Sequence, residues 1–163
     1  GNYLDEGRVV QVRDLLTDTS LSVAGREIGS DPKKGLVLLR VDGALRADHI
    51  TTGIDYPDLW AGQAAMYRRF DCRGGRLAVR LGSDGRLFRS VQLVEAYVRG
   101  RFVASALVAP YREATMEVPL VRGPHGSCTV RFRIPRTRVP ARVEPSSTDT
   151  RQLGIRFLHF NAS

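Results

Sequence analysis

The stretch CTVRFRI, residues 128–134, decides the fold class. Val130, Phe132 and Ile134 fall on one side of an extended chain, and Thr129, Arg131 and Arg133 on the other. Apolar and basic residues in strict alternation mark a strand that covers a core with one face and meets water with the other. RLAVRL at 76–81 repeats the pattern, with Leu77, Val79 and Leu81 opposing Arg76, Ala78 and Arg80. Short apolar runs at 8–13, 36–41, 101–108, 115–120 and 153–160 extend it along the chain. RGG at 73–75, GSDG at 82–85, RGPHGS at 122–127 and PSSTD at 145–149 separate the runs as turns. GSDG reads as a hairpin turn, and REIGSDPKKG at 26–35 as an exposed loop. Helix is scarce: DLWAGQAAMYRRF at 58–70 is the best candidate, for one or two turns before the chain extends into a strand, and VQLVEAYV at 91–98 reads as a long strand. Regular short strands with such punctuation predict an all-β, jelly-roll-like antiparallel β-sandwich with at most one or two short helices.

The chain has 163 residues and 42% hydrophobic content, which suits one domain spanning 1–163. No run approaches the roughly 18 apolar residues of a membrane-spanning helix. The opening Gly1–Asn2 suggests a domain excised from a larger protein. The net charge of +8 is carried almost wholly by arginine, since Lys33 and Lys34 are the lysines. That balance favours anionic partners such as nucleic acid, anionic lipid or acidic glycan. The arginines are scattered rather than blocked, which speaks against a nucleic-acid tract.

Enzyme motifs are missing. His49, His125 and His159 lie far apart and form no zinc-binding spacing. No nucleophile elbow, P-loop or dinucleotide fingerprint occurs. Asp55 and Asp58 are a carboxylate pair, the minimum for glycoside hydrolysis, but read more simply as loop residues. Sugar recognition needs flat rings with polar neighbours. The single tryptophan, Trp60, stands in TTGIDYPDLWAGQ (51–63) with Tyr56, Asp55, Asp58 and Gln63, the densest such cluster in the chain. The other reading of Trp60 is a plug at the end of the sandwich. Cys72 and Cys128 are too far apart for a CxxC motif. Each borders a strand-like run, which predicts a disulfide between strands, with two buried thiols as the alternative.

In SSTDTRQLGIRF, residues 146–157, Asp149 is placed to pair with Arg151 while hydroxyls cap free amides. Leu153, Ile155 and Phe157 then enter the core as the last strand. A structural calcium at Asp149 is the competing role; no other cofactor is expected.

The runs MYRRFDCRGGRLAVRLGSDGRLF (66–88) and VPLVRGPHGSCTVRFRIPRTRVPARVEPSSTDTRQLGIRFLHF (118–160), with Ser147, Asp149, Arg151, Leu153 and Gly154 before the closing strand, carry a resemblance. Residues 60–160 resemble the extracytoplasmic, carbohydrate-binding-module-like sandwich domains at the C-terminal end of bacterial polytopic membrane glycosyltransferases. The resemblance implies a non-catalytic role on the outer side of the bacterial membrane: binding glycan, positioning the acceptor, or packing on the membrane portion. Arg131 and Arg133, on the exposed face of their strand, could then meet an anionic lipid surface. A free-standing basic β-module for nucleic acid or another anionic polymer, and a small glycoside-active enzyme, are the alternatives. The first 55 residues carry no such resemblance.

Overall fold

The computed structural model describes residues 49–55 and 58–163, and the backbone of 9–13, 25–31 and 36–41. In chain order the strands are β1 (Val9–Arg13), β2 (Gly25–Asp31), β3 (Leu36–Val41), β4 (His49–Ile54), β5 (Trp60–Arg69), β6 (Gly75–Gly82), β7 (Gln92–Val98), β8 (Arg101–Val108), β9 (Glu113–Leu120), β10 (Cys128–Arg133) and β11 (Ile155–Ala162). One short helix, α1 (Pro140–Val143), precedes β11. The fold is nearly all β and antiparallel, as the alternating arginines predict.

β1, β3 and β2 form a three-stranded sheet in that order. The remaining strands run β8-β7-β10-β5-β11-β6-β9, with β4 on β5. This sheet folds over so that β8, at one end, touches β9 at the other. The result is a near-barrel sandwich, with β4, β5, β10, β7 and β8 facing β11, β6 and β9. Between the layers Phe157 stacks on Phe160 with centroids 5.6 Å apart, Phe132 meets Phe157 edge-on at 5.0 Å, and Tyr67 joins Phe160 at 5.2 Å. Val130, Phe132 and Ile134 are buried, whereas Arg131 and Arg133 are exposed, so β10 has the register its sequence predicts.

At 58–70, where one or two helical turns running into a strand are expected, the chain is extended from Trp60 onward as β5, without the helical turns. Its alanines suit a helix, but β5 lies between β10 and β4, which satisfy its backbone on both edges. Tertiary pairing overrides local preference here. Residues 26–31, expected as part of an exposed loop at 26–35, lie instead in β2. GSDG is not a hairpin turn, because β6 pairs with β9 and β11 and not with β7. The chain after β6 crosses the end of the sandwich, and Asp84 accepts the amides of Leu87 and Phe88 through its carbonyl.

Because all pairs are antiparallel, the connections alternate between two ends. The β4–β5, β6–β7, β8–β9 and β10–β11 connections lie at one end, and the β5–β6, β7–β8 and β9–β10 connections at the other. Cys72 and Cys128 form a disulfide at the second end, with Cα atoms 5.6 Å apart. It closes a 56-residue separation, worth about 4 kcal/mol in the chain-entropy model.

β11 begins where the layers meet. Gly154 donates to the Ala61 carbonyl at 2.7 Å and accepts from Gln92 Nε2 at 2.9 Å. A Cβ at Gly154 would lie 2.6 Å from Ile134 Cγ2 and 2.8 Å from the Gly62 carbonyl oxygen. Gly154→Ala therefore destabilises by about 1–3 kcal/mol through overpacking against backbone. Urea unfolding measures this, and an unchanged midpoint contradicts the packing account.

Candidate functional site

The aromatic–acidic cluster expected around Trp60 does not form an open platform. Trp60 is 5% exposed and packs with Leu87, Phe88 and Leu153. The Arg156 guanidinium lies over its ring, 4.8 Å from the centroid. This corrects the stacking role: a pyranose needs an accessible face, and Trp60 plugs the end of the sandwich. Gln63 is exposed, and its carbonyl accepts the Ile134 amide. Tyr56 lies outside the described residues.

Asp55 and Asp58 turn toward Arg151. Arg151 Nη1 is 3.1 Å from Asp55 Oδ2, and Nη2 is 2.7 Å from Asp58 Oδ2. Nη2 also reaches Asp149 Oδ2 at 2.7 Å, while Nε and the Arg151 amide bond Asp149 Oδ1 at 3.0 Å. The Asp149 carbonyl further accepts the Ala141 amide, tying the turn to α1. The Arg151 hydrogen bonds hold the Asp149 carboxyl below the usual range. Three carboxylates thus converge on one guanidinium that joins the β4–β5 turn to the start of the last strand. Calcium at Asp149 would have to displace that guanidinium, and among the described residues no cluster of His, Cys, Asp or Glu fits a metal ion. Asp55 and Asp58 share the Arg151 guanidinium, whose Nη1 reaches both, at 3.1 and 3.3 Å.

The open pocket at this end lies beside the Trp60 plug. It encloses about 390 Å³ between Ser83, Asp84, Arg86, Tyr111, Arg112 and Arg156. Its construction runs upward from Trp60: Arg156 rests on the indole and reaches Asp84 Oδ2 with Nη2 at 3.3 Å. Asp84 is buried and binds Arg86 through Nη2 at 2.9 Å and through the Arg86 amide at 2.9 Å. The Arg86 hydrogen bond lowers the Asp84 carboxyl below the usual range, outweighing burial, which acts the other way. Ser83 Oγ and Arg156 Nε are buried here with no hydrogen-bond partner among the described residues.

Tyr111 forms the rim. It is 72% exposed and holds φ at 58°, a left-handed conformation rare for a bulky residue. Its ring lies against Gly85, where an added Cβ would come within 2.2 Å of Tyr111 Cε2. Backbone strain of this kind concentrates at ligand sites. Sequence reasoning missed Tyr111. The available signal was its place in APYREA (109–114), an aromatic just after a turn-forming proline rather than inside a strand.

No known family pattern and no curated protein matches the chain. Among solved structures, the CBM51-2 and INT domains of ZmpB from Clostridium perfringens align with 94% of this chain at 11% identity and a TM-score of 0.30. The chain spans 30% of the length of that chain. A likeness of this size carries no argument about function, which must come from the site itself.

The depressed carboxyl at Asp84 has a pH signature. A folded-state value below the unfolded one, about 3.9, gives stability that is complete above that pH and lost as pH falls through the folded value. Asp84→Asn is therefore less stable than the wild type at pH 7, and the gap narrows as pH is lowered from 4 toward 2. Urea midpoints at several pH values measure it; a gap independent of pH contradicts the Asp84–Arg86 pairing.

Proposed function

We propose that this is a non-catalytic glycan-binding domain, and that its sugar site is the Tyr111 pocket. The observation that carries the reading is Tyr111 itself, an exposed ring held in a strained conformation over a floor of fixed charges. A phenol ring offers the apolar face on which pyranose C–H groups pack. Arg86 and Arg112 beside it are exposed and supply donors for hydroxyls, while Glu113 supplies an acceptor. The volume falls within the range of small-ligand sites. The pocket lacks a free carboxylate pair: Asp84 is engaged by Arg86 and Arg156, and Glu113 lies 3.6 Å from Arg80. That favours binding over hydrolysis.

Its setting, in this reading, is the outer side of a bacterial membrane, as the accessory domain of a cell-envelope glycosyltransferase that presents the acceptor glycan. The Cys72–Cys128 disulfide supports an oxidising compartment. No described helix is long and apolar enough to cross a membrane, so a membrane portion would be supplied by other parts of the protein or by a partner.

Removing the ring separates binding from folding. Tyr111→Gly relieves the left-handed strain, worth about 1–2 kcal/mol, and removes a stacking ring, worth about 2 kcal/mol of affinity. The variant is expected to melt no lower than the wild type and to bind cell-wall oligosaccharides about thirtyfold more weakly. Calorimetric titration and thermal melts check both. Undiminished binding in Tyr111→Gly, or no oligosaccharide binding by the wild type at millimolar concentration, would refute the assignment.

A further inference from the structure

The opposite end of the sandwich holds a larger groove of about 590 Å³. Arg68 of β5, Arg131 of β10 and Arg99 of the β7–β8 turn line it, and no Asp or Glu is among its lining residues. Arg68 and Arg131 project from the outer face of neighbouring strands, where Arg68 pairs in register with Thr129 and Arg131 with Tyr97. Arg68 Nε donates to Thr129 Oγ1 at 3.0 Å, which fixes the guanidinium and leaves its terminal nitrogens as donors. The nearby carboxylate, Glu95, is already engaged by the Tyr97 hydroxyl and lies 3.9 Å from Arg133. Among the described residues, no carboxylate pairs with Arg68, Arg99 or Arg131 in an ion pair.

A second observation points to the same place. Arg99 and Gly100 form the tight β7–β8 turn, with φ of 52° and 76°. The first position of such a turn prefers Asn, Asp or Gly. The two-residue hairpin demands that conformation, and Arg99, standing where a small polar residue is usual, is set by the turn at the groove. The far wall, Gly123–Ser127, is fastened by the Cys72–Cys128 disulfide and by the Cys72 amide, which donates to the Gly126 carbonyl at 2.9 Å.

The geometry points to a phosphate-binding site at this groove, separate from the Tyr111 pocket and independent of it. Planar guanidinium forks match phosphate oxygens in pairs. Several arginines that have no carboxylate partner among the described residues suit a group carrying more than one negative charge. Tyr97 and Phe70 supply apolar wall beside it, which suits a phosphate attached to a larger body. The source is either a soluble phosphate ester or an anionic lipid headgroup.

The double variant Arg99→Asn/Arg131→Gln tests it, since Asn suits the turn and both positions are exposed. Arg89→Gln/Arg142→Gln removes the same charge at the other end. Inorganic pyrophosphate is titrated calorimetrically at fixed ionic strength, and vesicles of phosphatidylcholine with or without phosphatidylglycerol are sedimented with each protein. Pyrophosphate binding that weakens at least about tenfold, or about 1.4 kcal/mol, in the first variant and not in the second supports a soluble phosphate source. The same pattern confined to phosphatidylglycerol vesicles supports a headgroup. Binding equally weakened in both variants, unchanged in both, or absent from the wild type toward both probes overturns the proposal.

Discussion

The start of β11 is the constraint on which the sandwich depends. Arg156 stands in register with Trp60 of β5 and also with Gly82 of β6. At that residue the last strand leaves one layer and joins the other. The crossing requires a backbone approach that Gly154 permits. It is held from the side by Gln92, whose amide donates to the carbonyls of Gly154 and Arg136 and accepts from Arg136 Nε at 2.8 Å. Gln92 is fully buried, so these partners offset its desolvation. Arg151 secures the preceding turn by gathering Asp55, Asp58 and Asp149.

Both proposed sites follow from this closure. The crossing places Arg156 on Trp60 and against Asp84, building the floor beneath Tyr111. The apolar weight of Trp60 is spent on the end plug, and the exposed ring comes from the β8–β9 connection. At the far end, β10 lies between β5 and β7, bringing arginines from distant parts of the chain onto one outer face. A scattered set of arginines thus becomes a patch without any charged run in the sequence.

The strands were legible where apolar and basic residues alternate, as in β6 and β10, because one-sided burial writes a period of two into the chain. β5 was legible only in part, since Ala64, Ala65 and Met66 suit a helix and pairing with neighbouring strands extends the segment from its start. β4, with its HITTGI sequence (49–54), carries too little apolar weight to announce a strand. The pairing of Asp149 with Arg151 is local and could be read from spacing, whereas the arrival of Asp55 and Asp58 from nearly a hundred residues away could not. Trp60 showed why a lone tryptophan is a weak pointer to a sugar site: its large apolar area is as useful beneath the surface as on it. Tyr111 gave little sequence signal because its role comes from a backbone conformation.

Sugar recognition at the Tyr111 pocket is tested by mapping amide chemical shifts during titration with neutral cell-wall oligosaccharides. The account predicts saturable shifts confined to Ser83–Arg86 and Ala109–Glu113, with the amides around Asp58 and Gln63 unmoved. Shifts centred on Asp58–Gln63, or spread along the outer face of β5 and β10, would contradict it.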